Sequence, residues 1–208
     1  MSKPSIECRT DGPYLVKDLD AFANSKGEPI GCKAVMALCR CGGSATKPFC
    51  DGTHKKNGFS GARQTQPAAK RDTYRGKKIT IYDDRAICAH SARCSDNLAA
   101  VFKYGSEPWI DPDGASAEAI IAAIRKCPSG ALSYAVNDVE APAQQRGCAV
   151  TVTKDGPYAV VGAIPLAGQA ADAIAAMECY TLCRCGGSKN KPFCDGTHWS
   201  IEFHDDKN

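Results

Sequence analysis

The segment LCRCGGSATKPFCDGTH, residues 38–54, returns as LCRCGGSKNKPFCDGTH at residues 182–198, with 15 of 17 positions identical at a constant offset of 144. The offset already holds upstream, where Asp11-Gly-Pro-Tyr14 recurs as Asp155-Gly-Pro-Tyr158. No net insertion separates turn from cysteines in either copy, so the two ends of the chain should share one architecture. Between them lies unrelated sequence bounded by two polar stretches, Gly61–Lys78 and Glu140–Gly147. The domain reading is a module at 1–62, a basic linker at 63–76, a middle domain at 77–139, a linker at 140–147 and a second module at 148–208.

Local pattern predicts an α+β chain. Each Asp-Gly-Pro marks a turn, followed by short strands at Tyr14–Val16 and Tyr158–Val161. A strand is also expected before each cysteine loop, over Ile174–Leu182 in the second copy. In the middle domain Lys78–Tyr82 alternates as a strand should. Ser116 is placed to cap a helix with Glu118 in its first turn and Ile120, Ile121 and Ile124 on one stripe. Gly130 stops that helix, and Ala131–Val136 reads as a strand.

Composition narrows the function. With 26 basic and 23 acidic residues the net charge is +3, too balanced for a strongly basic nucleic-acid binder or an acidic solvating protein. The 13 cysteines are an odd number beside only 4 histidines. No apolar leader follows Met1, and no apolar run reaches membrane-spanning length, so the expected setting is cytoplasmic, away from membranes. Many cysteines in a reducing compartment imply metal, cluster or redox chemistry rather than a disulfide scaffold.

Each repeat offers three thiols and one imidazole: Cys39, Cys41, Cys50 and His54, then Cys183, Cys185, Cys194 and His198. Two cysteines one residue apart put both thiols on one side of a tight loop. If Cys50-Asp-Gly-Thr-His54 opens a helix, the thiol and the imidazole share a face one turn apart, and Asp51 and Asp195 complement its N-terminus. Gly42-Gly43 lets the backbone approach a bulky inorganic core with its N–H groups free for sulfur. Pro48 and Pro192 stiffen the approach to the third thiol. Spacing alone leaves two readings open: a structural Cys3His zinc site, or two irons taking two protein ligands each.

Cys39, Cys41, Ser44, Pro48, Cys50, Asp51, Gly52, Thr53 and His54, and their counterparts through His198, match the pattern C-x-C-x2-S/T-x3-P-x-C-D-G-S/A/T-H. This resembles the CDGSH iron–sulfur (mitoNEET-like) family, with Thr53 and Thr197 standing where the eponymous serine would be. The resemblance implies a [2Fe-2S] cluster in each module, held by three cysteines and one histidine, with the histidine on the outer iron. Modules of that family pair about a two-fold axis with their strands completing one another. Two copies in one chain imply the same pairing made internally: a monomeric pseudo-dimer with a ferredoxin-like α+β domain inserted in the connection.

That middle domain carries Cys88, Cys94 and Cys127, the last in Cys127-Pro-Ser-Gly130. Bacterial ferredoxins present C-x2-C-x2-C and then a distant C-P; here the central cysteine of the run is replaced by Ser91, with His90 before it. The segment Tyr74–Val136 resembles the divergent single-cluster ferredoxins, with Val101-Phe102 and Pro108-Trp109-Ile110 in their core. Three thiols imply a [3Fe-4S] cluster, or [4Fe-4S] if His90 or Ser91 holds the fourth iron.

Cys8, Cys32, Cys148 and Cys179 have no cysteine at the offset of 144 and read as buried or incidental thiols. Lys47 and Lys191 read as solvated, as does the basic group Lys70, Arg71, Arg75, Lys77 and Lys78. His204 lies in a polar tail. No nucleotide fingerprint, nucleophile elbow or paired carboxylates point to an enzyme. The expected function is electron transfer with an unidentified redox partner. The alternatives are a cluster carrier serving an apo-acceptor or acting as a redox or pH sensor, and a structural zinc-binding module.

Overall fold

A computed structural model describes residues 3–65, 71–169 and 177–208. In chain order its strands are β1 (Ser5–Cys8), β2 (Tyr14–Lys17), β3 (Phe22–Ala23), β4 (Val35–Leu38), β5 (Arg71–Arg75), β6 (Ile79–Asp84), β7 (Leu132–Val136), β8 (Val139–Glu140), β9 (Ala149–Val152), β10 (Tyr158–Val161), β11 (Leu166–Gly168) and β12 (Cys179–Leu182). The helices are α1 (Arg93–Asn97), α2 (Ala117–Ile124) and α3 (Thr197–Ser200). The chain divides into two compact units, one built from both ends (Met1–Gln66 with Gln145–Asn208) and one from the middle (Pro67–Gln144).

In the terminal unit the repeat becomes an exchange of strands. One sheet runs β11-β1-β2-β4 and the other β12-β10-β9-β3. β1 to β4 superimpose on β9 to β12 at the same offset of 144, so each sheet takes its fourth strand from the other repeat. The borrowed strands add in parallel, Ile6 facing Leu166 and Phe22 facing Val150, onto otherwise antiparallel sheets. The alternating sequence of β2 and β10 buries Tyr14, Val16, Tyr158 and Val160 in one core shared by both repeats. A lone 60-residue module buries little apolar surface, and pooling two cores answers that shortage. The internal pseudo-two-fold expected from the repeat is the observed architecture.

Two tyrosines lock the exchange. The Tyr14 hydroxyl donates to the carbonyls of Cys183 (2.9 Å) and Pro192 (3.0 Å). Reciprocally, the Tyr158 hydroxyl donates to Cys39 (2.9 Å) and Pro48 (3.0 Å). Their rings meet edge to face, with centroids 6.1 Å apart. Each Asp-Gly-Pro-Tyr turn thus serves the cysteine loop of the opposite repeat.

The middle unit is a four-stranded antiparallel sheet, β5-β6-β7-β8, packed with α2 around Ile79, Ile81, Val101, Phe102, Ile110, Ile120 and Leu132. Ser116 caps α2, its hydroxyl accepting from Ala119 N–H at 3.3 Å. The helix ends at Ile124, earlier than the glycine stop at Gly130 implied.

Two boundaries need correction. The basic linker at 63–76 is not all linker, because Arg71–Arg75 is β5, paired along its length with β6. Only Tyr74 of its five residues is apolar and packs on the core, too little for a hydrophobic period to show. Arg71, read as solvated, bonds Glu140 and stacks 3.9 Å from the Tyr82 ring centroid. Glu140, assigned to the second linker, closes the sheet in β8. Residues 66–70 of the linker, Lys70 included, lie outside the described residues, as does the start of the Ile174–Leu182 run, whose strand begins at Cys179.

Replacing Tyr158 by Phe leaves the buried Cys39 carbonyl without its hydroxyl donor. The expected loss is about 1–3 kcal/mol, read as a lower urea midpoint, with a similar loss for Tyr14→Phe. Asp205→Asn should cost more, about 3–5 kcal/mol, because it strips the carboxylate from Arg184, a guanidinium fully withdrawn from solvent.

Candidate metal centres

The two repeats present their donors as couples. Cys39 Sγ and Cys41 Sγ lie 3.9 Å apart, and Cys50 Sγ lies 3.4 Å from His54 Nδ1. In the second repeat the separations are 3.8 Å for Cys183–Cys185 and 3.4 Å for Cys194–His198. Among the described residues no three His, Cys, Asp or Glu side chains gather as a site for a single ion.

The thiol–imidazole couple does not arise as the sequence suggested. Cys50 lies outside any helix; one 3-10 turn begins only at Thr53, and α3 only at Thr197. The chain turns instead through Gly52 and Gly196, at φ of +89° and +85°, conformations that glycine adopts without steric cost. Asp51 secures the turn by accepting from Thr53 N–H (3.0 Å) and Ala45 N–H (2.8 Å), and the Thr53 side chain together with these N–H groups holds its carboxyl well below the usual range. Asp195 accepts likewise from Thr197 and Lys189 N–H; burial raises its carboxyl, but the Thr197 hydroxyl and these N–H groups outweigh it and leave the carboxyl lowered.

Gly42 has a second duty that the sequence did not reveal. It lies at φ of +75°, and a Cβ there would stand 2.4 Å from the Cys185 carbonyl oxygen; Gly186 meets the Cys41 carbonyl in the same way at 2.5 Å. These approaches permit an antiparallel bridge between Cys41 and Cys185. Lys47 and Lys191 are not solvated; each ammonium donates back to the carbonyl of Ser44 or Ser188 and closes its loop.

The donor sets fit an iron–sulfur core. Burial pushes the Cys39 thiol up to about 11, and the hydrogen bond with Cys185 together with burial pushes the Cys183 thiol well above its ordinary value. Buried thiols of this kind ionise when a cation neutralises them. Backbone N–H groups already point at sulfur, Gly52 to Cys50 and Gly187 to Cys185, each at 3.4 Å. Gly43 and Gly187 lie beside the Cys41 and Cys185 sulfurs, and a Cβ there would crowd the Thr53 and Thr197 methyls at 3.0 and 2.9 Å.

In the middle unit Cys88, Cys94 and Cys127 line one cavity of about 590 Å3, together with His90, Ser91, Arg85 and Trp109. The connecting loop carries His90 and Ala92 in the left-handed region, at φ of +49° and +57°, a strain of the sort found at ligand-holding loops. His90 N–H points at Cys88 Sγ (3.4 Å), and burial raises both the Cys88 and the Cys94 thiols. The structure therefore brings together every donor expected here, His90 and Ser91 included. Cys127 sits 3.6 Å from the Ser129 hydroxyl.

The remaining thiols stand apart from these sites. Cys8 is buried in the shared core with its thiol pushed up to about 11, Cys179 is buried and Cys32 exposed, and Cys148 donates to the Gly162 carbonyl. His204 is not without a partner: its Nδ1 lies 3.6 Å from the Asp155 carboxylate.

The model of the iron-binding zinc finger CDGSH type matches residues 11–55 and 155–199, and that of the divergent 4Fe-4S mono-cluster matches 74–137. The chain belongs to the CDGSH iron–sulfur family. Two similar proteins, from Escherichia coli strains K12 and O157:H7, are both described as uncharacterized protein YjdI. Each is 41% identical over 61 residues, 29% of this chain and 80% of the relative. No solved structure matches. The two CDGSH modules and the divergent 4Fe-4S mono-cluster domain between them make this an iron–sulfur protein. No helix among the described residues is long and apolar enough to cross a membrane.

The middle centre should be independent of the CDGSH centres. Cys127→Ser is expected to abolish its EPR signal while the CDGSH spectra persist. His54→Cys and His198→Cys should each alter one CDGSH spectrum and leave the middle signal in place.

Proposed function

We propose that this chain is an electron-transfer protein with no catalytic activity of its own, carrying three centres. Cys39, Cys41, Cys50 and His54 would hold one [2Fe-2S] cluster, and Cys183, Cys185, Cys194 and His198 a second. Cys88, Cys94 and Cys127 would hold a [3Fe-4S] cluster, or a [4Fe-4S] cluster with His90 or Ser91 on the fourth iron. When bound, such clusters supply reversible one-electron storage.

The observation that carries this reading is the bridge between Cys41 and Cys185. It sets the inner ligand strands of the two CDGSH modules against each other, with Gly42 and Gly186 removing every side chain from the contact. Two centres built back to back through shared backbone suit exchange between them. The donor couples, two thiols and then a thiol with an imidazole, support two metals per module and speak against a single zinc. The protein's own contribution is to bury Cys39, Cys183 and Cys194 and to direct N–H groups at sulfur. Thirteen cysteines with none in a disulfide among those described are consistent with work in a reducing cytoplasm.

A second reading, a carrier that hands its cluster to an apo-acceptor, draws on the partial exposure of Cys50 and His54. Anaerobic purification, iron and acid-labile sulfide quantification and EPR in both oxidation states test the first reading. The expected result is about seven irons per chain for a three-iron middle centre, or about eight for a four-iron one, with about eight sulfides in either case. Zinc without sulfide would overturn it. Cluster delivery to an apo-ferredoxin faster than electron exchange with its loaded form would favour the carrier.

A further inference from the structure

The two CDGSH motifs are nearly identical, yet their surroundings differ. His198 is 5% exposed and Cys194 3%. His54 and Cys50, the same positions in the first module, are both partly open to solvent. The loops before them differ likewise: Asn190 and Lys191 are buried, whereas Thr46 is exposed and Lys47 half-buried.

Two stretches produce the difference. The first is the chain leaving module 1. Gln64 and Thr65 N–H both donate to the Lys189 carbonyl (2.8 and 3.0 Å), and Arg63 Nε donates to the Lys191 carbonyl at 3.0 Å. The Arg63 guanidinium also lies 5.7 Å from the Phe193 ring centroid. At the offset of 144 the cover over module 1 is lighter: the Ala45 carbonyl accepts from the Lys207 ammonium at 2.6 Å.

The second stretch follows each histidine. In module 2 it is Trp199, Ser200, Ile201 and Glu202; in module 1 it is Lys55, Lys56, Asn57 and Gly58. The Trp199 ring lies 5.1 Å from the His198 ring, tilted by 38°. Ile201 packs over Gly187 beside the Cys185 sulfur, where module 1 sets the Asn57 amide over Gly43. These four positions carry two positive charges in module 1 and one negative charge in module 2. Lys55 and Lys56 are exposed, and among the described residues neither has an acidic partner. Asp51, the nearby carboxylate, is itself exposed but is engaged by the Ala45 and Thr53 N–H groups.

We infer that the two CDGSH centres are not interchangeable: the Cys50–His54 side of module 1 is the contact face, receiving an acidic surface of a partner protein, and the Cys194–His198 side of module 2 is closed. Openness and charge coincide on one module, and like placement of both is absent from the other. A partner approaching the basic face is drawn in by opposite charge, an attraction that salt weakens. The inference rests on the reading that each module holds a cluster, and the first measurement checks that separately.

Iron and sulfide are quantified in the full-length loaded protein, and cluster loss to EDTA, an anionic probe, is then followed by visible absorption and EPR. Zinc in place of iron and sulfide would sink the cluster reading itself. With clusters present, two phases are expected in the CDGSH signals, apart from any loss of the middle centre, the fast one belonging to module 1. His54→Cys and His198→Cys mark each centre by its altered spectrum. Rising salt should slow the fast phase, and Lys55→Glu with Lys56→Glu should slow it roughly ten-fold. The rate to the neutral chelator 2,2′-bipyridine should not change. Trp199→Lys with Ile201→Asn should speed the slow phase. A glutamate-rich peptide should protect module 1 from EDTA. A single phase, or a fast phase carried by module 2, overturns the inference. Lysine variants that leave the EDTA rate unchanged overturn the contact face, and better protection by a DNA duplex than by the peptide overturns its assignment to an acidic protein.

Discussion

A loop that wraps three thiols around an inorganic core cannot also run in a sheet, so its carbonyls are left without ladder partners. A buried carbonyl without a donor is costly. The Tyr14 and Tyr158 hydroxyls meet that demand at Cys183 and Cys39, each from the opposite repeat. Neither module is complete alone, because the group that satisfies its ligand loop belongs to the other. The strand exchange of β11 onto β1 and β3 onto β9 follows the same logic, merging two small cores into one.

Fusing two modules in one chain frees them from strict symmetry. In a pair of separate identical chains, any change after the histidine appears on both sides. Here Trp199 and Ile201 dress one centre while Lys55 and Lys56 dress the other. Arg40 and Arg184 diverge as well. Each is buried between two ligand cysteines, but Arg184 pairs with Asp205, where the offset of 144 puts Gly61 in module 1. Arg40 bonds to the Gly61 and Arg9 carbonyls and Gln169 instead. The shared frame supplies two like sites, and the residues around it make them unlike.

In the middle unit the site is assembled from distant parts of the chain. Cys88 opens a strained loop after β6, Cys94 sits in α1 at that loop's far end, and Cys127 follows the end of α2. Val101, Phe102, Ile110 and Ile120 fill the core behind them. Packing of α2 on the sheet is what delivers Cys127 to the cavity holding the other two thiols.

The donors were legible in the sequence because metal ligation demands particular atoms at short spacings, and a repeat at offset 144 states those spacings twice. Short strands such as β2 and β10, the Ser116 cap and the pseudo-two-fold were legible too, since each follows from local pattern or from the repeat. β5 was not, because a strand with one apolar residue, Tyr74, carries no hydrophobic period and is recognised only by its partner β6. Nor was the true duty of Gly42: a glycine's freedom shows in sequence, but whether it serves a cluster or the Cys185 carbonyl depends on what the fold brings near. The difference between His54 and His198 is of the same kind. Their local sequences up to the histidine are almost the same, and exposure is set by residues such as Arg63 and Gln64 that are far away along the chain and near only in space. Sequence determined which atoms can bind; tertiary packing decided which of them solvent and a partner can reach, because burial is a property of neighbours rather than of residues.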